Sequence, residues 1–247
     1  MKSTKKQTKN NLTAERRFFN TFIFMTVVYT LGKGSTWQNN ELRYSIRSFV
    51  KYTAVNRIII VGYLPDWIQN VEYIPFADGP RKQLNIHLKT LAACQVAPEF
   101  VQAADDHFIL QPTKFSSFCY SGLLKDKKFN GNYAVACANT LKVVGPKARF
   151  YNLHIPMRMT ADYYENAVGL QDWTSKEYLI KSLYANKIPG NDTELPGDVK
   201  LVNFIRRAAI DKYVENKSFL SVSDGGLSTD MRRWLAERFP DKSKYER

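Results

Sequence analysis

"NNELRYSIRSFVKYTAVNRIIIVGYLPDW", residues 39–67, is the stretch that decides the fold class. Its first half has a helical period: Leu42, Ile46, Phe49 and Val50 share one face, and Asn39 or Asn40 stands where an N-cap belongs. Its second half, "NRIIIVGYL", is short and almost wholly apolar, the pattern of a strand covered on both faces. A helix feeding such a strand predicts an α/β sheet, mostly parallel and flanked by helices.

The neighbouring segments repeat the alternation. Phe22 to Leu31 is rich in β-branched and aromatic residues and ends at the Gly-rich turn "GKGSTW". "VEYIPF" reads as a strand, "KQLNIHLKTLAACQV" as a helix, and "EFVQAADDHFIL" as one further strand. In parallel sheets, ligands bind beyond the carboxyl ends of the strands. Thr30 to Trp37, Gly62 to Trp67 and the pair Asp105 and Asp106 all fall at such ends, so they are expected to converge on one crevice.

Beyond residue 112 the patterns are weaker. "NGNYAVACANTLKVVG" reads as strand and turn, and "NLHIPMRM" as a loop or edge segment. "TADYYENAVGL", "SKEYLIKSLYANKI" and "DVKLVNFIRRAAIDKYVE" read as helices, with "NDTELPGD" breaking the last two apart. "STDMRRWLAERFP" is a final amphipathic helix opened by Ser228 or Thr229. The expected organisation is a basic disordered arm over residues 1–17, a core over 18–160 and a mainly helical part over 161–247.

Composition narrows the class. The chain has 247 residues, 44% hydrophobic and 24% charged, ordinary for a soluble globular protein. Its 36 Lys and Arg against 23 Asp and Glu leave +13, which favours a polyanion, a nucleotide or an anionic surface as partner. Cys94, Cys119 and Cys137 have no paired or metal-ligand spacing, so a reducing compartment, the cytoplasm, is expected. The lead "MKSTKKQTKNNLTAERR" before "FFNTFIFMTVVYTL" imitates a signal peptide. Its basic part is long, however, Asn20, Thr21 and Thr26 interrupt the apolar run, and no small-residue cleavage site follows. A buried first strand and no membrane partner are expected instead.

Two adjacent carboxylates between apolar flanks repel each other unless something positive stands between them. Mg²⁺ or Mn²⁺, which bridges protein carboxylates to phosphates, suits Asp105 and Asp106; the alternative is a solvated acidic turn. His154, alone in "YNLHIPMRM", is either structural or a metal ligand. His107 adjoins the pair, and His87 sits on a helix and needs no special role. Asn85 and Lys89 lie four apart on one helical face, where the lysine could meet a diphosphate or simply water. Arg43 and Arg47 share that spacing and that ambiguity. No dinucleotide fingerprint, P-loop, zinc-protease or Ser-His-Asp signature is present.

In order, "NNELRYSIRSFVKYTAVNRIIIVGYLPDW", "NIHLKT", "ADDHFIL" and "HIPMRM" resemble the metal-dependent nucleotide-sugar glycosyltransferases of the GT-A fold, above all the Stealth capsular-polysaccharide transferases and phage proteins of that wider group. The closing "SVSDGGLSTDMRRWLAERFPDKSKYE" resembles the ends of such phage proteins. The resemblance implies a GT-A-like catalytic core, a UDP-sugar as the first donor to consider, and a divalent cation. It makes Asp105 and Asp106 the counterpart of the acidic DxD element, with His154 completing the metal shell. Thr30, Gly62 and Tyr63 would lie against the nucleotide, with Asn85, Lys89 and Arg43 on the donor side. The spacing here is Asp-Asp-His rather than Asp-x-Asp, which leaves open which aspartate meets the metal. Asp224, in "SVSDGGLS", is the candidate base of an inverting reaction.

The charge balance bears on the acceptor. Some phage and trypanosomatid relatives, the base-J glucosyltransferases among them, glucosylate hydroxymethylpyrimidines in DNA. A DNA acceptor would account for the basic arm and for Arg206, Arg207, Arg232 and Arg233, since phosphate neutralisation dominates such affinity. Trp67, Trp173 or Tyr163 could support a base turned out of the helix. A transferase acting on surface polysaccharide is the runner-up. A non-catalytic nucleic-acid-binding protein is the third reading, disfavoured because an acidic crevice repels a phosphate backbone.

Overall fold

The computed structural model describes residues 25–247. The basic arm and the start of the Phe22–Leu31 run lie outside the described residues. The chain runs β1 (Met25–Leu31), α1 (Glu41–Tyr52), β2 (Val55–Gly62), β3 (Glu72–Pro75), α2 (Lys82–Cys94), β4 (Glu99–Ala103) and β5 (His107–Ile109). It continues with β6 (Phe118–Tyr120), α3 (Gly131–Val144), β7 (Met157–Thr160), α4 (Ala161–Tyr164), α5 (Ile180–Ala185) and β8 (Asp192–Glu194). β9 (Lys200–Leu201), α6 (Arg207–Val214), β10 (Phe219–Val222) and α7 (Thr229–Arg238) complete it.

The main sheet has the order β3-β2-β1-β4-β7. Its first four strands are parallel, and β7 closes the edge antiparallel to β4. This is the mostly parallel, helix-flanked α/β sheet that the sequence predicts. The apolar run of β2 shows why: Ile58 and Ile60 pack into the hydrophobic cluster on one face, Ile59 and Val61 into the cluster on the other. Four such side chains, each worth roughly 1.5–3 kcal/mol when buried, make the strand stable only between two covering layers.

Several expectations change in detail. Val50 is exposed, because it lies a full residue's rotation beyond Phe49; the buried face of α1 is Leu42, Ser45, Ile46, Ser48 and Phe49. "EFVQAADDHFIL" is not one strand. β4 stays in the main sheet, a turn closed by His107 N–H to Ala104 O follows, and β5 joins a second sheet of order β5-β10-β9. "NGNYAVACANTLKVVG" is the helix α3, which buries Ala136, Cys137 and Thr140 on one side and has its end set by Gly145 at φ +84°. Of "DVKLVNFIRRAAIDKYVE" only Arg207–Val214 is helical, and Lys200–Leu201 is a strand. Ser228 caps α7, accepting from Met231 N–H at 3.2 Å.

Strands from beyond residue 160 complete two small sheets begun before it: β10 pairs with β5, and β8 with β6. The later third of the chain is thereby woven into the wall beside Asp106. Cys94, Cys119 and Cys137 are free. Among the described residues no helix is long and apolar enough to cross a membrane.

Candidate active site

Parallel pairing puts the carboxyl ends of β1, β2 and β4 on one edge of the sheet. The loop after β1 folds over that edge: Asn39, at φ +58°, donates through its side chain to Gly32 O at 3.1 Å and to Asp105 Oδ2 at 3.3 Å. Tyr63 N–H donates to Leu31 O at 3.1 Å, tying the end of β2 to the end of β1. The three strand ends expected to converge do so.

Asp105 and Asp106 occupy the turn between β4 and β5, and they face different neighbours. Asp105 turns toward the start of α1, where it shares a hydrogen bond with the carboxyl group of Glu41. Burial, then the charges of Asp106 and Glu41, push the Asp105 carboxyl up to about 7. Burial also raises Glu41, and its Oε2 is enclosed without a hydrogen-bond partner. One proton thus stands between two carboxylates where the site lacks a positive charge.

Asp106 has other partners. It accepts from Ser221 Oγ at 2.7 Å and meets Lys200 Nζ at 3.4 Å. Burial acts to raise it, but His107, Lys200, Ser221 and His154 outweigh that and hold it below the usual carboxylate range. Ser221 pairs in register with His107 on one side and Lys200 on the other, so the second sheet delivers both polar partners. His107 is buried, accepts from Ala104 N–H at 3.2 Å, and is pushed down to about 3 chiefly by burial, so it is neutral.

His154 lies beside this cluster and is rigidly held. Asp198 accepts from its backbone N–H at 2.9 Å and from its ring Nδ1. Lys181 grips the carbonyls on either side, Leu153 O at 3.0 Å and Ile155 O at 2.5 Å. Burial lowers Lys181 to about 8, and Asp198 is held near 2 because the His154 contacts outweigh its burial. The side chain keeps 41% of its surface exposed while one contact from the ring, to Asp198, and three on the flanking backbone fix it, so it is arranged for something outside itself.

Other predicted positions serve internal contacts. Lys89 is buried and donates to Leu31 O at 2.8 Å and to Asp78 at 2.7 Å, so it braces the floor of the crevice rather than reaching phosphates. Gly62, at φ +120°, lets that lysine pass: a Cβ there would lie 2.1 Å from Leu31 O and 2.9 Å from Lys89 Nζ. Asn85 pairs twice with the backbone of Gly79, and Thr30 is a half-buried strand residue in register with Val61. Arg43 stacks over Trp67 at 4.0 Å and binds Asn40 and Glu246, facing the closing tail of the chain.

Asp224 is exposed and accepts from Thr36 N–H at 3.1 Å and Thr36 Oγ1 at 2.9 Å, clasping the loop after β1. Of the four arginines predicted to meet nucleic acid, Arg207 pairs with Asp211 and Glu237, and Arg232 donates to Leu227 O and lies over Trp37. Arg206 and Arg233 are exposed. Trp173 is buried beneath His87, ring centroids 4.1 Å apart, which removes it as a support for an extruded base; Tyr163 is exposed.

Sequence reasoning passed over Glu41, Ser221, Lys181, Asp198 and Lys200. Glu41 sat in the opening motif but reads as an ordinary first-turn acid; Ser221 and Lys200 come together through sheet pairing, while Lys181 lies on α5 and Asp198 just before β9.

No protein-family model matches the chain, and neither does any curated protein sequence. Among solved structures, the galactosyltransferase LgtC, in complex with donor and acceptor sugar analogues, aligns at 10% identity over 89% of this chain and 98% of its own, with a TM-score of 0.47. The 2-C-methyl-D-erythritol 4-phosphate cytidylyltransferase from Thermus thermophilus aligns at 10% identity, over 70% of this chain and 89% of its own, TM-score 0.40. A glycosyltransferase involved in glycosylation of the major capsid of PBCV-1 does so at 10% identity, over 88% and 97%, TM-score 0.37.

Proposed function

We propose that the chain is a glycosyltransferase that takes a sugar from a nucleotide-sugar donor, bound in the crevice at Asp105 and Asp106 with a divalent cation. The observation that carries this reading is the charge deficit at the strand ends. Burial, and then the charges of Asp106 and Glu41, push the Asp105 carboxyl up to about 7, and Glu41 Oε2 has no partner. Among the described residues no three acidic, His or Cys side chains form a ready-made metal cage. That donor set fits Mg²⁺ or Mn²⁺, which take one or two carboxylates and complete their shell with water and substrate phosphates.

Asp105 and Asp106 would hold the cation, with His154 on its open side. When bound, such an ion stabilises charge developing on a leaving diphosphate. The chain's own residues do the rest. Asn39 and Ser221 orient the two carboxylates through the contacts at 3.3 and 2.7 Å. Thr30, Gly62 and Tyr63 form the edge on which a nucleotide would lie. Asp224, on the loop clasped to Thr36, stands ready to take the proton of an acceptor hydroxyl in an inverting reaction.

For the acceptor we infer a hydroxymethylpyrimidine in DNA, supported by the +13 charge and by exposed Arg206 and Arg233. A surface-glycan acceptor is favoured instead by the internal pairing of Arg207 and the burial of Trp173. Incubation of hydroxymethylated duplex and of oligosaccharide acceptors with a panel of nucleotide sugars and Mn²⁺, read by mass spectrometry, tests both. A hexose-sized mass gain on DNA supports the first acceptor and a gain on glycan the second. Nucleotide-sugar consumption with neither, or none at all, overturns the assignment.

A further inference from the structure

The positive groups around Asp106 carry one assignment more. Lys200, on β9, reaches Asp106 Oδ2 at 3.4 Å, and that is its one ion pair among the described residues. The contact is loose, since Ser221 Oγ already holds the same oxygen at 2.7 Å. A quarter of the Lys200 side chain (25%) is exposed beside Asp106. Two other lysines of this region are committed: Lys89 to Leu31 and Asp78, Lys181 to Leu153 and Ile155.

The geometry gives the lysine a partner. A divalent cation at Asp106 would take over the pairing that Lys200 now supplies, leaving a partly exposed ammonium on a flexible stem without its carboxylate. A diphosphate that enters with the cation offers the replacement, since a compact ammonium with three donors suits phosphoryl oxygens. We propose that Lys200 binds the diphosphate of the nucleotide donor, turning from Asp106 to phosphoryl oxygen when the cation and nucleotide enter together. This rests on the nucleotide-sugar reading above.

The test is calorimetric and needs no turnover. Wild-type protein, Lys200→Met and Lys200→Arg are titrated in MnCl₂ with UDP, GDP, CDP, ADP and dTDP, and then with the parent nucleoside of the tightest binder. A charge-assisted hydrogen bond lost from the site should weaken diphosphate binding roughly tenfold to a hundredfold in Lys200→Met. Lys200→Arg should recover most of it, and nucleoside binding should be equal in all three. If Lys200→Met does not fold, as thermal unfolding would show, Lys200→Gln, which keeps a hydrogen bond to Asp106, takes its place with the same expectation. Equal diphosphate affinity in wild type and the neutral variant overturns the assignment of Lys200 alone. A wild-type protein that binds no nucleoside diphosphate overturns the donor reading, and the assignment with it.

Discussion

Replacing Asp105 by Asn should stabilise the protein above neutral pH while removing its activity. In the folded chain the Asp105 carboxyl, pushed up to about 7 from an ordinary 3.8, keeps a proton that it shares with Glu41. The unfolded chain gives that proton up near 3.8. Between those two values the folded state binds more protons than the unfolded state, so stability falls as pH rises. The advantage is complete below 3.8 and gone above about 7, where a bare carboxylate faces Glu41 and Asp106. Asn imitates the protonated acid: its amide donates to Glu41 and its carbonyl accepts from Asn39. A shift of this size sets a ceiling of about 4 kcal/mol. Partial exposure and sharing with Glu41 bring the working figure to about 2 kcal/mol, or roughly 4–8 °C in Tm for a chain of this length. Thermal unfolding of wild type and Asp105→Asn from pH 4.5 to 8.5 reads it directly. The variant should melt higher at pH 8, the gap should close toward pH 5, and added Mn²⁺ should raise only the wild type. A variant less stable than wild type at pH 8, or a gap that does not change with pH, refutes the shared proton.

Asp106→Ala should abolish sugar transfer with a loss of no more than about 2 kcal/mol in urea unfolding, since Ser221, Lys200 and, at 4.0 Å, His107 lose a partner; full wild-type activity in excess EDTA would contradict the metal assignment. Asp198→Asn keeps the shape of the His154 clamp but removes its charge, so kcat should fall at least about tenfold with Tm within a few degrees; an unchanged kcat would make the clamp purely structural. Gly62→Ala should cost more than about 3 kcal/mol or prevent folding, because the new Cβ would meet Leu31 O at 2.1 Å in a backbone conformation that L side chains avoid; a normal expression level and melting curve would refute that.

The main sheet was legible because its signals are local. Ile58 to Val61 are apolar without a break, and only a strand buried on both faces uses such a run. The crevice followed from the same logic, since parallel strands ending at Leu31, Gly62 and Ala103 must end on one edge. What local reading could not do was decide how far a strand continues. "EFVQAADDHFIL" has β propensity throughout, yet the chain turns at Ala104 and gives its second half to another sheet. In α3 Tyr133, Val135 and alanines two apart at 134, 136 and 138 imitate a strand, although the segment is helical and buries Ala136, Cys137 and Thr140.

The same limit explains why half of the candidate site was missed. Asp105 and Asp106 announce themselves as neighbours in sequence, whereas Ser221 stands 115 residues from Asp106, and Asp198 stands 44 from His154. Their alignment depends on β10 pairing antiparallel with β5 and parallel with β9, which sets Ser221 opposite both His107 and Lys200. A slip of one residue in that register would turn Ser221 away from Asp106 and bring Leu220 or Val222 to face it. The two-residue strand Lys200–Leu201 is too short to declare itself by pattern, and its polar member reads as a solvated lysine. Lys89 errs in the opposite direction. It lies one turn from Asn85 on a helix beside the acidic strand, which makes it look available, but Gly62 opens a path into the sheet edge, and the lysine follows it to Leu31. A side chain's chemistry can be read from its type, but its partner is set by backbone many residues away, and here that backbone exchanges the lysine the sequence favours for one it passes over.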